Sequence, residues 1–201
     1  MNEPTLDVAR ILNELVGRRA ALGKAGAVSL GAVLAALGLP ESAAAFASVP
    51  PPSSYTTLLG LCTPGSGTSS YTPGITNTLQ SVHVNNNVTF SPCSVGQNKV
   101  VQSLSVSLDT ISSCSSKTDA AGTGVISYTN SQMSNWTLDS WTATRLLGQL
   151  LAVDSGLITN GPFNSARVWV FNTRAVSDPS VCATSSGILT ATGQSTLIVA
   201  Q

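Results

Sequence analysis

From Ser155 to Thr173 the chain reads SGLITNGPFNSARVWVFNT, and this stretch narrows the available folds more than any other outside the N-terminal segment. Asn160-Gly161-Pro162 is turn chemistry, because glycine reaches backbone conformations closed to other residues and proline cannot donate to a central ladder. After the turn, Ala166, Val168 and Val170 alternate with Arg167, Trp169 and Phe171. A strand throws successive side chains to opposite faces, so one face is aliphatic and the other aromatic with a single cation. Apolar groups on both faces place this strand inside a sheet, with core packing or a ligand covering the aromatic side. Burying Trp169 contributes about 2–3 kcal/mol at the usual area coefficient.

Further strand patterns stand on either side. Val100 to Leu108 is the cleanest: Val100, Leu104, Val106 and Leu108, with Gln102 among them, oppose Val101, Ser103, Ser105 and Ser107. This predicts an apolar face inward and a hydroxyl-rich face outward. Short runs around Leu79–Val84, Val88–Pro92, Gly124–Tyr128, Asn135–Thr144 and Gly187–Ala200 add further strands, with Tyr55–Cys62 as the first; in Asn135–Thr144, Trp136 and Leu138 alternate against Asn135, Thr137, Asp139 and Trp141. Cys62 to Gly74 is rich in Gly, Ser, Thr and Pro and ends in Tyr71-Thr72-Pro73-Gly74, which reads as a turn. Arg145 to Val153 (RLLGQLLAV) fits a helix or a strand equally. The spacing predicts an all-β antiparallel meander of about eight strands, closed as a small barrel or packed as a sandwich.

The leader has a different character. Residues 1–24 form a long polar region carrying Arg18-Arg19, Ala25 to Leu39 is an apolar run too short to span a bilayer comfortably, and Ala45-Phe46-Ala47 offers small residues where signal peptidase reads. This predicts a signal peptide over 1–47, cleaved between Ala47 and Ser48, a Pro/Ser-rich linker over 48–57 and one all-β domain over 58–201. No stable membrane span remains after processing. Arg18-Arg19-Ala20-Ala21-Leu22 resembles a twin-arginine export signal, although Ala21 replaces the usual large apolar residue. An ordinary secretory signal is the alternative. The expected location is secreted, extracellular or associated with the cell envelope.

Cysteine usage agrees with that address. Cys62, Cys93, Cys114 and Cys182 all follow the expected cleavage site, and an even number in an exported chain predicts two disulfides. In a meander, the start of the first strand and the end of the second share one end of the sheet, where Cys62 and Cys93 fall. Cys114 follows the third strand and Cys182 the seventh, at the opposite end. The expected pairing is Cys62–Cys93 and Cys114–Cys182. No zinc spacing exists, since there is no CxxC and His83 is the sole histidine.

A twin-arginine-like leader, a first cysteine, Tyr71-Thr72-Pro73-Gly74-Ile75-Thr76 and a second cysteine come in order. Gly122-Thr123-Gly124-Val125-Ile126-Ser127-Tyr128, Ser155-Gly156 to Gly161-Pro162-Phe163 and the late Cys182 follow. In this order the chain resembles the small secreted β-rich proteins of actinobacteria, mostly uncharacterised. It departs from them at Asn164, where a glycine or small acidic turn follows the phenylalanine. The resemblance implies a fold and an address, and it carries over no catalytic residue.

Chemistry is sparse. Beyond Ala47 there is no Glu, and Asp109, Asp119, Asp139, Asp154 and Asp178 balance Lys99, Lys117, Arg145, Arg167 and Arg174. No basic patch exists to neutralise phosphates, so no nucleic-acid partner is expected. The five Asp residues are scattered, which argues against paired carboxylates for glycoside hydrolysis and against a calcium loop. There is no GxSxG elbow, and a lone His83 on an alternating strand reads as a surface residue. No catalytic residue, cofactor or metal is expected, and the chain reads as a non-enzyme. The leading expectation is a secreted non-catalytic β domain of the cell surface or extracellular space. One alternative is a module binding carbohydrate or cell wall through a tryptophan platform of Trp136, Trp141 and Trp169, since flat indoles stack on sugar rings. The other is a barrel holding a small ligand inside.

Overall fold

A computed structural model describes residues 57–201 apart from 116, 147–148 and 176–178. The predicted leader, with Arg18, Arg19, Ala47 and Ser48, lies outside the described residues. Eight strands follow one another: β1 (Leu58–Ile75), β2 (Gln80–Val95), β3 (Lys99–Ser112), β4 (Lys117–Tyr128), β5 (Met133–Leu146), β6 (Gln149–Asn160), β7 (Arg167–Ala175) and β8 (Ile188–Ala200). Each pairs antiparallel with its sequence neighbours, and β8 returns to β1 to close an up-and-down barrel. The closing ladder runs from Leu58↔Ala200 to Ile75↔Ile188. It is extended by Thr57 and Gln201, whose backbones exchange two hydrogen bonds of 2.9 Å. Closure removes the exposed edges of an open sheet. Of the two expected architectures, the barrel is the one formed.

The central hairpin is as expected. Gly161 sits in its turn at φ 91°, and Ala166, Val168 and Val170 enter the core. Of the stretch Arg145 to Val153, the described residues are strand: 145–146 end β5 and 149–153 begin β6, paired from Leu146↔Gln149 to Thr142↔Val153. Both disulfides pair as expected: Cys62–Cys93 near one end of the barrel and Cys114–Cys182 near the other. A short 3₁₀ turn over Pro179–Ala183 carries Cys182.

Three expectations need correction. Tyr71-Thr72-Pro73-Gly74 is not a turn but part of β1, whose body is the Gly/Ser/Thr-rich region after Cys62. Its glycines serve close approach: a Cβ at Gly65 would lie 2.6 Å from the Phe90 ring, and one at Gly67 2.5 Å from the Arg174 guanidinium. Second, Val101 and not Val100 joins Leu104, Val106 and Leu108 in the interior. The β3–β4 register shifts between Val101 and Ser103, and one extra residue in a strand inverts every face before it. Third, β5 does not alternate regularly. A register shift between Leu138 and Ser140 places Trp141 opposite Asp154 on β6, and Asp154 is opposite the core residue Val170 on β7. Directly opposed residues share a face, so Trp136, Leu138 and Trp141 all face inward.

Candidate binding surface

The tryptophan platform is not formed. Trp136 is 1 % exposed and lies against Gly124 of β4 and Gly156 of β6, two positions whose missing side chains make room for the indole. Trp169 is on the outward side of β7, flanked in register by Ser155 and Ile198, and is 0 % exposed. Trp136 is enclosed in the core, so it does not share an outward ring face with the other two indoles. Trp141 alone is only partly buried.

The barrel interior is occupied by its own side chains, including a polar set that sequence reasoning passed over. Arg174, 1 % exposed, points inward from β7 into the space left by Gly67. Its Nε donates to Ser69 Oγ at 3.0 Å, and its Nη1 to the backbone oxygens of Gln194 (2.7 Å) and Thr173 (3.2 Å). Its Nη2 is shared among Asn86 Oδ1 (2.6 Å), Asn172 Oδ1 (2.9 Å) and Ser195 Oγ (2.9 Å). Asn172 Nδ2 in turn donates to Asp154 Oδ2 at 2.7 Å. A guanidinium has five N–H donors in a fixed fork, and all of them find an acceptor here. Burial lowers the Arg174 pKa from its ordinary value, and Tyr71 and Asp154 oppose that shift. The network is satisfied within the protein, and this part of the interior is filled by it.

What remains for a partner is the outer wall. On β8, β1, β2 and β3 the outward positions align into rows. Thr192, Thr68, Asn87 and Ser105 form the middle row. Thr190, Ser70, Asn85 and Ser107 lie on one side of it, and Gln194, Ser66, Thr89 and Ser103 on the other. Every member is an uncharged hydroxyl or amide. β-strand geometry sets neighbours in a row about 4.8 Å apart and successive rows about 7 Å apart.

At the margin of this lattice two features collect the remaining chemistry. The β4–β5 ladder runs only from Thr123↔Thr137 to Ser127↔Met133, whereas both strands continue further. A cleft of about 540 Å³ opens beside the diverging strands, lined by Asp109, Ile111, Ala121, Asp139 and Trp141 among others. Asp139 is held by Arg167, with contacts of 2.6 and 2.8 Å. Beside the cleft, Asp109 Oδ1 lies 2.7 Å from His83 Nδ1, and His83 Nε2 lies 3.3 Å from Ser107 Oγ.

This Ser–His–Asp connectivity has the order of a nucleophilic triad, but the surroundings lack the rest of one. The His83 and Asp109 side chains are 41 % and 75 % exposed. Ser107 to Asp109 are paired with β2 on one side and β4 on the other, so their backbone amides are committed to ladders and do not form an oxyanion hole. Among the described residues no group of three or more His, Cys, Asp or Glu converges as a metal site.

Comparison with family models, curated proteins and solved structures finds no match for this chain. The rows and the Arg174 network were missed in the sequence for different reasons. The row members were recognised as a hydroxyl-rich face on β3, but their alignment depends on registers between strands. Arg174 lies one residue beyond the stretch read as the hairpin and entered only the balance of charges.

Proposed function

We propose that this protein is an exported, non-catalytic barrel that acts through its outer wall, in the extracellular space or as part of the cell envelope. The observation that carries this reading is that the interior polar set of Ser69, Asn86, Asn172, Arg174 and Ser195 is saturated by its own hydrogen bonds, while the outward rows on β8, β1, β2 and β3 are uncharged and hydrogen-bonding. The two disulfides support export, because such bonds persist in oxidising compartments. Among the described residues no helix is long and apolar enough to cross a membrane. The Arg18-Arg19 leader supports the twin-arginine route and the likeness to small secreted actinobacterial proteins. The open Ser107–His83–Asp109 arrangement, without an oxyanion hole, supports a non-catalytic role.

A carbohydrate- or cell-wall-binding role is the second reading, favoured by one observation: Trp141 lines a cleft together with Asp109 and Asp139. An aromatic face flanked by polar groups is the usual composition of a sugar subsite. Co-sedimentation of the protein with purified cell walls and with insoluble polysaccharides tests the proposal. Retention in the pellet at high salt is the expected result. A protein that stays in the supernatant with every polymer and every wall preparation contradicts it.

A further inference from the structure

We infer that the break in the barrel wall between β4 and β5 accepts an extended segment of another polypeptide, which docks there as an added strand. The inference goes beyond the outer-wall reading and does not depend on it. The β4–β5 ladder ends at Thr123↔Thr137. From Lys117 to Gly122, β4 pairs with β3 alone, and past Thr137, β5 pairs with β6 alone. The cause is local. The β5–β6 register shifts between Leu138 and Ser140, immediately past the last β4 partner, and such a bulge bends a strand and ends its pairing. Two strand edges therefore face each other across the gap.

Those edges define what fits between them. A strand edge presents alternating N–H donors and C=O acceptors, and the partner that matches them along its length is another main chain. Because β4 and β5 run antiparallel, an added strand lies parallel to one and antiparallel to the other. The interior here has room for its side chains. Ala120 and Gly122 stand opposite Thr110 and the core residue Leu108, and so face inward. Ala143, opposite Ala152, does the same. All three are small and keep partial exposure, as does Trp141, whereas the inward Val106 and Leu108 of β3 are 2 % and 4 % exposed. Apolar residues at alternate positions of the added strand cover these places. On the outer lip stand the carboxylates of Asp109 and Asp139, with side chains 75 % and 39 % exposed. They favour Lys or Arg among the outward residues of the segment. A sugar in the cleft of about 540 Å³ reaches Trp141 but leaves both edges unmatched.

The test uses the full protein and a fluorescein-labelled peptide of about six residues, the reach of Lys117–Gly122 at ~3.3 Å per residue, in which valine alternates with threonine and lysine. A second peptide, N-methylated at alternate amides, keeps the side chains and loses the main-chain donors along one edge. The expected result is saturable binding of the first peptide by anisotropy, with backbone amide shifts moving over 117–122 and 138–143. The N-methylated peptide is expected to bind at least tenfold more weakly. Equal affinity of the two peptides overturns the inference. So does absence of binding by the first at about 1 mM, or binding that leaves the amide shifts of both strands unmoved. Ala143→Leu fills the inner side of the gap at a partly exposed position. Circular dichroism and the thermal midpoint establish that the variant folds. It is expected to bind the peptide at least tenfold more weakly, and wild-type affinity in the folded variant overturns the inference.

Discussion

Arg174 and Asp154 are joined without touching: Asn172 accepts from Arg174 Nη2 at 2.9 Å and donates to Asp154 Oδ2 at 2.7 Å. Each ion is almost wholly buried. A buried charge costs several kcal/mol in desolvation, and the cost is offset only where partners satisfy it. One amide thus links two ions from adjacent strands and fixes the β6–β7 register around Ala152↔Asn172.

Arg174→Met leaves the buried acceptors Ser69, Asn86, Asn172 and Ser195 without their shared donor. It is expected to destabilise the barrel by about 3–5 kcal/mol, read as a shift of the urea midpoint. A variant as stable as wild type contradicts the role assigned to the network.

Gly124 makes room for the Trp136 indole, which lies in contact distance of any Cβ placed there. Gly124→Val forces the indole from its site against a packed wall. The expected cost is about 1–3 kcal/mol, the range for overpacking, together with a red-shifted tryptophan emission. Ser127→Val on the outward side of the same strand serves as control and leaves both unchanged.

The two disulfides close loops of different length, with sequence separations of 31 for Cys62–Cys93 and 68 for Cys114–Cys182. In the chain-entropy model they contribute about 3.7 and about 4.4 kcal/mol. Replacing Cys114 and Cys182 together by Ser therefore lowers the thermal midpoint more than replacing Cys62 and Cys93 together. The reverse order contradicts the loop-length argument.

Tyr128 contributes to stability on the alkaline side. Burial raises its pKa above the ordinary value of 10.0, against the opposing hydrogen bond with Ser134. The folded state binds the phenol proton more tightly than the unfolded state, so this contribution is complete below the unfolded pKa. It is lost as pH rises above about 10 and through the folded pKa. Arg174, lowered by burial, has the opposite sign, so the comparison must isolate the phenol. Tyr128→Phe is expected to flatten the loss of stability between pH 9 and 11, approximate bounds set by the ordinary phenol range, measured by urea denaturation. An identical slope in the variant contradicts the assignment.

Much of this fold was legible because its signals are local. Asn160-Gly161 marks a turn wherever it occurs, and the alternation of Val168, Trp169 and Val170 reports a strand by itself. The disulfide pairing followed from strand parity alone, since a meander fixes which strand ends meet. What escaped the sequence is what depends on registers between strands. A single extra residue near Leu138 turns Trp141 inward, and a second near Val101 exchanges it with Val100. Neither bulge carries a glycine to announce it. The roles of Gly65 and Gly67 in β1 were not legible for a related reason: the Phe90 ring and Arg174 guanidinium that require them come from β2 and β7. The interior charge of Arg174 and the outer rows are likewise products of closure.

The central claim is that a partner meets the outer wall and not the interior. It is tested most directly by mapping backbone amide chemical shifts of the ¹⁵N-labelled protein during titration with a soluble fragment of a polysaccharide it pellets with. The account predicts perturbations confined to outward-facing positions, such as those around Thr68, Asn87 and Ser105. Perturbations centred on Asn86, Asn172 and Arg174, with the rows unmoved, would contradict it and place the ligand inside the barrel.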